Sequence, residues 1–161
     1  MSYANAAPVR LDGLISAVTR NRSKDSVGPL LNRSCWDALA HHLEPRSVQP
    51  QEALINQGAS DRSLYFVESG MLRIYRSDNN KRLQLAVLGP GAVVGEGTFF
   101  ATIVRNASAE AVEPTFLWEL SRDSFDEMLR EAPTAACEIS LALGAVISIR
   151  MLSVAGRLAI T

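Results

Sequence analysis

The stretch VVGEGTFFATIVRNASAEA, residues 93–111, is where the chain's chemistry concentrates. Gly95 and Gly97 carry no side chain, so the backbone there can approach a bound group closely. Glu96 lies between them, a carboxylate able to accept from a pair of donors. Nine positions after Glu96 comes Arg105, followed by Asn106 and Ser108, in a segment where little else is charged. A planar guanidinium backed by a hydroxyl and by free backbone N–H groups suits a phosphate. A nearby carboxylate suits a sugar hydroxyl, as acidic residues do for ribose in dinucleotide sites. Two readings follow from these residues alone: a site for a small nucleotide with one phosphate, and a Glu–Arg pair on a surface loop.

Outward from this segment the chain is β-rich. Ala53–Gln57, Ser63–Glu68, Met71–Arg76 and Leu83–Leu88 precede it; Ser108–Val112 and Thr115–Leu120 follow. The breaks GASD (58–61), SDNNK (77–81), LGPG (88–91) and EP (113–114) are rich in turn formers. Many short, closely spaced strands indicate a barrel, sandwich or jelly roll. Helical patterns lie on either side. Leu11, Leu14, Ile15 and Val18 have helical spacing. Arg20–Asn32 reads as a linker, and Ser34 as the cap of a helix carrying Trp36, Leu39 and Leu43 and stopped by Pro45. His41 and His42 fall near that helix's end, where exposure or the helix dipole accounts for them. Ser121 caps a helix with Phe125, Met128 and Leu129 on one face.

Pro133 separates this helix from Thr134–Ile160, which is apolar almost all round. Such a helix needs burial on more than one side. Its small residues, Ala142, Gly144, Ala145 and Gly156, permit close approach of a partner, so a homodimer seam over Ile139–Leu158 and an internal core helix are the two candidates.

Composition bounds the rest. The 161 residues indicate one domain. Hydrophobic residues make up 47% and charged residues 20%, as in ordinary globular proteins. The net charge of −1 excludes a broad basic field for nucleic acid or an anionic membrane. Only Lys24 and Lys81 stand against fourteen arginines, a bias toward planar phosphate donors or a mark of genome composition. Cys35 and Cys137 form no disulfide framework and lack metal-ligand spacing, which fits a reducing, cytoplasmic compartment. The N-terminal MSYANAAPVR has no apolar signal core. The uncharged run Ile139–Ile149 has eleven residues, fewer than the roughly 20 that a membrane span needs.

GEGTFFATIVRNAS (95–108) resembles the phosphate-binding cassette of cyclic nucleotide-binding domains, whose usual form is Gly-Glu-apolar-Ala/Gly-apolar, a short variable stretch, then Arg-x-Ala-Ser/Thr. LINQGASDRSLYFVESGMLRIY (54–75) is similar to that family's second and third strands, with Gly58 and Gly70 at its turn glycines, and LGPGAVVGE (88–96) to the lead-in. Pro133 and the final helix fall at the family's hinge and C-helix. The resemblance covers about residues 34–160.

The resemblance implies a mainly β fold with flanking helices: an eight-stranded antiparallel β-roll (jelly roll), N-terminal helices and a long C-terminal helix. The division would be an N-terminal helical and linker segment over 1–33, the roll with its flanking helices over 34–133, and a C-terminal lid and dimerisation helix over 134–161. Glu96 would accept the ribose 2′-hydroxyl and Arg105 would pair with the cyclic phosphate. Ser108 would add a hydroxyl donor. Backbone N–H groups of Gly97 and Thr98 would help hold the phosphate, with Gly95 and Asn106 completing the ligand set. The base would lie under the C-terminal helix, whose repacking would carry the signal. Arg150 would stack on the base, or else be a solvated or dimer-rim charge.

Three departures stand against the pattern: Thr98 for Ala or Gly, Gly97 for an apolar residue, and Val104 for the common Pro. The ligand implied is cyclic AMP or cyclic GMP, with no metal or other cofactor. The implied partners are a second copy of the chain and an effector protein, for which a membrane transporter is a candidate, since YFVESG and LGPGAVVGE also look like domains attached to sulfate-permease-type bacterial transporters. No nucleophile with a nearby base is apparent and no G-x-S-x-G elbow occurs, so an enzyme is not expected. The sequence given stops at Thr161, without room for a helix-turn-helix, so these residues alone are not expected to read DNA. The alternatives are an interaction domain that has lost nucleotide binding, and the sensor half of a Crp/Fnr-type transcription regulator.

Overall fold

The computed structural model describes the backbone of residues 7–159 and the side chains of residues 7–154. Its eight strands form two four-stranded sheets, and every pairing is antiparallel. One sheet has the order β1 (Glu44–Val48), β8 (Thr115–Ser121), β3 (Ser63–Ser69), β6 (Val93–Val94). The other runs β2 (Ala53–Ile55), β7 (Ser108–Ala111), β4 (Leu72–Asp78), β5 (Lys81–Leu88). The helices are α1 (Asp12–Arg20), α2 (Arg33–Leu39), α3 (Glu96–Phe100), α4 (Arg122–Glu131) and α5 (Pro133–Ala159), with a 3-10 turn at Gly28–Leu30. This is the β-roll with flanking helices that the resemblance implies.

The first sheet is covered on both faces, so its strands lose simple polar alternation. Leu64 and Phe66 of β3 turn toward the helices, while Tyr65 and Val67 turn into the roll. In β8, Trp118 and Leu120 join the helical side and Leu117 the roll interior. The helical core gathers Leu14, Val18, Leu39, Phe99, Phe125, Met128, Ile139, Leu143 and Val146 around these residues. The roll interior is lined by Val48, Ile55, Leu72, Val94, Ala109 and Ala111. The β4–β5 hairpin closes Asp78 on Lys81 through Asn79 and Asn80, both at positive φ (47° and 62°). Asparagine is among the residues that tolerate the left-handed region of such tight turns.

Several local expectations are corrected. β1 and β6 were not among the six segments with strand patterning. Pro45 does not stop a helix: it sits in edge strand β1, paired with Trp118, where a missing N–H is tolerated. Helix α2 ends at Leu39, and its cap is Asn32, whose side chain accepts from the Cys35 amide, not Ser34. His42 is neither exposed nor free: its side chain is 7% exposed and its Nε2 lies 3.4 Å from Glu131. The stretch 20–32 is not a bare linker, because Val27 is fully buried in the helical core. Ser121 does cap α4, accepting from the Ser124 amide.

Helix α5 begins at Pro133, a position where a missing N–H costs nothing. It presents two faces. Ile139, Leu143 and Val146 are buried in the helical core, whereas Leu141, Met151, Leu152 and Val154 are exposed. The run Ile139–Ile149 understates its apolar length. Within Pro133–Val154 an 18-residue stretch reaches a mean hydropathy of 1.7, and the helix is long and apolar enough to cross a membrane by length and composition, though its inward face is a core face here. Gly156 and Leu158 of the candidate seam lie outside the described side chains.

Candidate ligand-binding site

β6 ends at Gly95, whose φ of 91° is left-handed, a conformation that disfavours any Cβ. A Cβ there would also stand 2.8 Å from both Arg105 Nη1 and the Ser63 carbonyl oxygen. Gly95 is therefore demanded by the protein's own packing. At Gly97 a Cβ would meet nothing within 4 Å among the described residues, whose packing does not account for glycine there. The turn at Gly95 launches α3. The far end of α3 is held by two arginines: Arg62 donates to the carbonyls of Thr98 and Phe99 (both 3.1 Å), and Arg122 to that of Phe99 (2.9 Å).

Arg105 is locked in place. Its backbone N–H and C=O bond Ala59 and Gly58 (both 2.7 Å), tying it to the GASD turn. Its side chain is 3% exposed. Nη2 donates to Asp61 Oδ2 and to the Ser63 carbonyl (both 2.5 Å), Nε to Asp61 Oδ1 (3.3 Å), and Nη1 to the Gly95 carbonyl (3.0 Å). A guanidinium has five N–H donors. One, on Nη1, has no partner among the described residues, on a group already fixed in orientation. The Arg105 hydrogen bonds hold the Asp61 carboxyl below the usual carboxylate range, partial burial opposing them.

Ser108 opens β7. Its hydroxyl oxygen accepts from the Gln57 amide at 2.9 Å, which leaves its O–H free to donate. Thr98 is 4% exposed, and its Oγ1 is buried without a partner.

Glu96 pairs with a residue far along the chain. Arg150 Nη1 donates to Glu96 Oε1 (2.6 Å), Nε to Asp25 Oδ2 (2.7 Å) and Nη2 to the Val93 carbonyl (2.9 Å). The three side chains are 26%, 17% and 21% exposed for Arg150, Glu96 and Asp25. Arg150 is therefore not a solvated charge. Burial works against its charged form, but the charge of Glu96 and the bonds to both carboxylates outweigh it and raise its pKa.

All eight residues singled out in the sequence, Gly95, Glu96, Gly97, Thr98, Arg105, Asn106, Ser108 and Arg150, line one cavity of about 910 Å³. Ligand sites commonly measure about 300–1,000 Å³. Ile55, Ile74, Leu88 and Val94 form an apolar wall, and Ile149 and Leu152 of α5 stand over it. Sequence reasoning missed Asp61, which it read only as a turn former, and Asp25, in the supposed linker. Neither has a local spacing signal, because each finds its partner only in three dimensions.

A guanidinium, a carboxylate and a hydroxyl over an apolar wall in a β-roll define a class of small-ligand-binding module. The family description "cyclic nucleotide-binding domain" matches residues 45–132, and the chain belongs to that family. Among curated relatives, the cyclic AMP receptor protein of Thermus thermophilus is 35% identical over 100 residues, covering 61% of this chain and 46% of that protein. Acetyltransferase Pat of Mycolicibacterium smegmatis is 29% identical over 96 residues, covering 60% and 29%. The chain thus spans less than half the length of these relatives. Among solved structures, a cyclic nucleotide-binding domain from Methylobacillus flagellatus superposes with a TM-score of 0.78 at 20% identity, covering 94% of this chain and 84% of that one. The catabolite activator protein of Thermus thermophilus gives 0.66 at 26% (89% and 62%), and cAMP-bound PfPKA-R gives 0.60 at 27% (71% and 40%).

Proposed function

We propose that the chain is a non-enzymatic, cytoplasmic sensor that binds cyclic AMP or cyclic GMP in this cavity and signals through α5. The observation that carries the reading is the arrangement at the cavity wall. Glu96 offers an oxygen, Oε2, with no hydrogen-bond partner among the described residues, while Arg105 keeps one N–H and Ser108 its O–H. Glu96 accepts the ribose 2′-hydroxyl. Arg105, Ser108 and the backbone N–H groups of Gly97 and Thr98 hold the cyclic phosphate, flanked by Gly95 and Asn106. The purine lies on the apolar wall under α5, beside Arg150.

Residues 34–133 form the sensor and 134–161 its lid. The exposed Leu141 and Met151, which are not cavity-lining residues, supply the contact for a second copy. Occupancy that changes how Ile149–Val154 pack shifts the populations of α5 arrangements. A thermal-shift screen of cyclic nucleotides tests the reading. A ligand at 100 times its Kd stabilises by about 2.7 kcal/mol, which raises Tm by about 5–11 °C for a chain of this size. No shift with any cyclic mononucleotide at millimolar concentration would refute it.

A further inference from the structure

We infer that Asp25, ahead of the roll, is a positioning residue for ribose recognition, acting through Arg150 to aim Glu96 into the cavity. The inference rests on the assignment of Glu96 to the ribose 2′-hydroxyl.

Arg150 is read from both edges. Its Nε meets Asp25 Oδ2 at 2.7 Å and its Nη1 meets Glu96 Oε1 at 2.6 Å. The Val93 carbonyl takes Nη2 at 2.9 Å, at the start of the strand that carries the cassette. A planar fork with fixed donor directions transmits the position of one carboxylate to the other in a way a lysine ammonium does not. Only Oε1 of Glu96 is used, so the pair sets the carboxylate plane and leaves Oε2 for a hydroxyl donor.

Asp25 is itself held. Its other oxygen, Oδ1, accepts from the Ser23 hydroxyl. Its neighbours Ser26 and Val27 are buried. This anchored loop is therefore a fixed post, and the chain's N-terminal segment clasps its C-terminal helix across 125 positions of sequence. Without Asp25 the guanidinium keeps one carboxylate and gains freedom to swing. Glu96 then loses its fixed plane, while Arg105 and its phosphate contacts, held by Asp61, are untouched.

The readout is selective for one ligand atom. Affinity is measured by calorimetry for whichever of cyclic AMP and cyclic GMP binds, and for its 2′-deoxy analogue. Asp25→Asn is expected to weaken the ribonucleotide about tenfold, the low end of the effect of removing an outer partner of a liganding group. It should leave the 2′-deoxy analogue within about twofold of wild type. Arg150→Gln removes the shared fork and should weaken the ribonucleotide at least as much, and the double variant should lose no more than the larger single loss. Should Asp25→Asn fold poorly, Ser23→Ala, which removes the hydroxyl holding Asp25 Oδ1, carries the same test with the same selectivity expected. Equal losses for both nucleotides, or no loss for either, would overturn the role of Asp25 and leave the nucleotide site standing. Wild-type protein that binds the two nucleotides equally would overturn the ribose role of Glu96, and with it the inference. Wild-type protein that binds neither would overturn the proposed function first.

Discussion

Arg105→Ala tests whether the candidate phosphate arginine is built into the fold before any ligand arrives. The substitution removes a side chain that is 3% exposed and that donates to Asp61, to the Ser63 carbonyl and to the Gly95 carbonyl. The two carbonyls lose their side-chain donor in buried or half-buried surroundings, at about 1–3 kcal/mol each. Asp61 is 46% exposed, so water takes over its solvation and its share is small. A net loss of about 3 kcal/mol follows, below the ceiling of about 5 kcal/mol for breaking a fully buried pair. For a chain of this length it lowers Tm by about 6–12 °C. Thermal unfolding followed by circular dichroism, without nucleotide, reads it directly. Arg105→Lys keeps the charge but not the fork, and should recover only part of the loss. A melt of Arg105→Ala within about 2 °C of wild type would refute the locked-arginine reasoning.

Asp61→Asn should flatten the acid side of the stability profile. The folded pKa of Asp61 is lowered by Arg105, so the unfolded chain takes up the proton first. The contribution of Asp61 is complete above the ordinary carboxylate pKa of about 3.9 and is lost as pH falls toward the folded value. Denaturant midpoints for wild type and Asp61→Asn should therefore differ most near neutral pH and converge in acid; a constant gap would contradict this. Gly95→Ala should cost at least about 1–2 kcal/mol from the left-handed backbone alone, and more from the 2.8 Å contacts of its Cβ. Gly97→Ala should melt at or slightly above the wild-type temperature, yet lose nucleotide affinity, because its Cβ enters open space beside the ligand donors. A Gly97→Ala protein with undiminished affinity would remove Gly97 from the phosphate contacts.

How much of this was legible in the sequence depended on range. Strands bounded by turn residues, such as β4 and β5 around Asn79–Asn80, declared themselves locally. β6 did not, being two residues long, and β1 was hidden by Pro45, a residue tolerated there only because the strand is an edge. The cassette was legible because Gly95, Glu96, Arg105 and Ser108 lie close together in one segment and meet one ligand. Its supports were not. Asp61 reaches Arg105 across 44 positions and Asp25 reaches Arg150 across 125, separations that carry no periodicity. Helix α5 read correctly as apolar all round, but only its packing shows that Ile139, Leu143 and Val146 serve the core while Leu141 and Leu152 remain exposed.

The central claim is that this cavity binds a ribose carrying a cyclic phosphate, and calorimetric titration of the wild-type chain with cyclic AMP and cyclic GMP, with 5′-AMP and 5′-GMP as controls, tests it most directly. Saturable binding of at least one cyclic nucleotide, with weaker binding of its linear counterpart and loss on Glu96→Gln, is the predicted result. No heat of binding from either cyclic nucleotide, or affinity indifferent to Glu96→Gln, would contradict it.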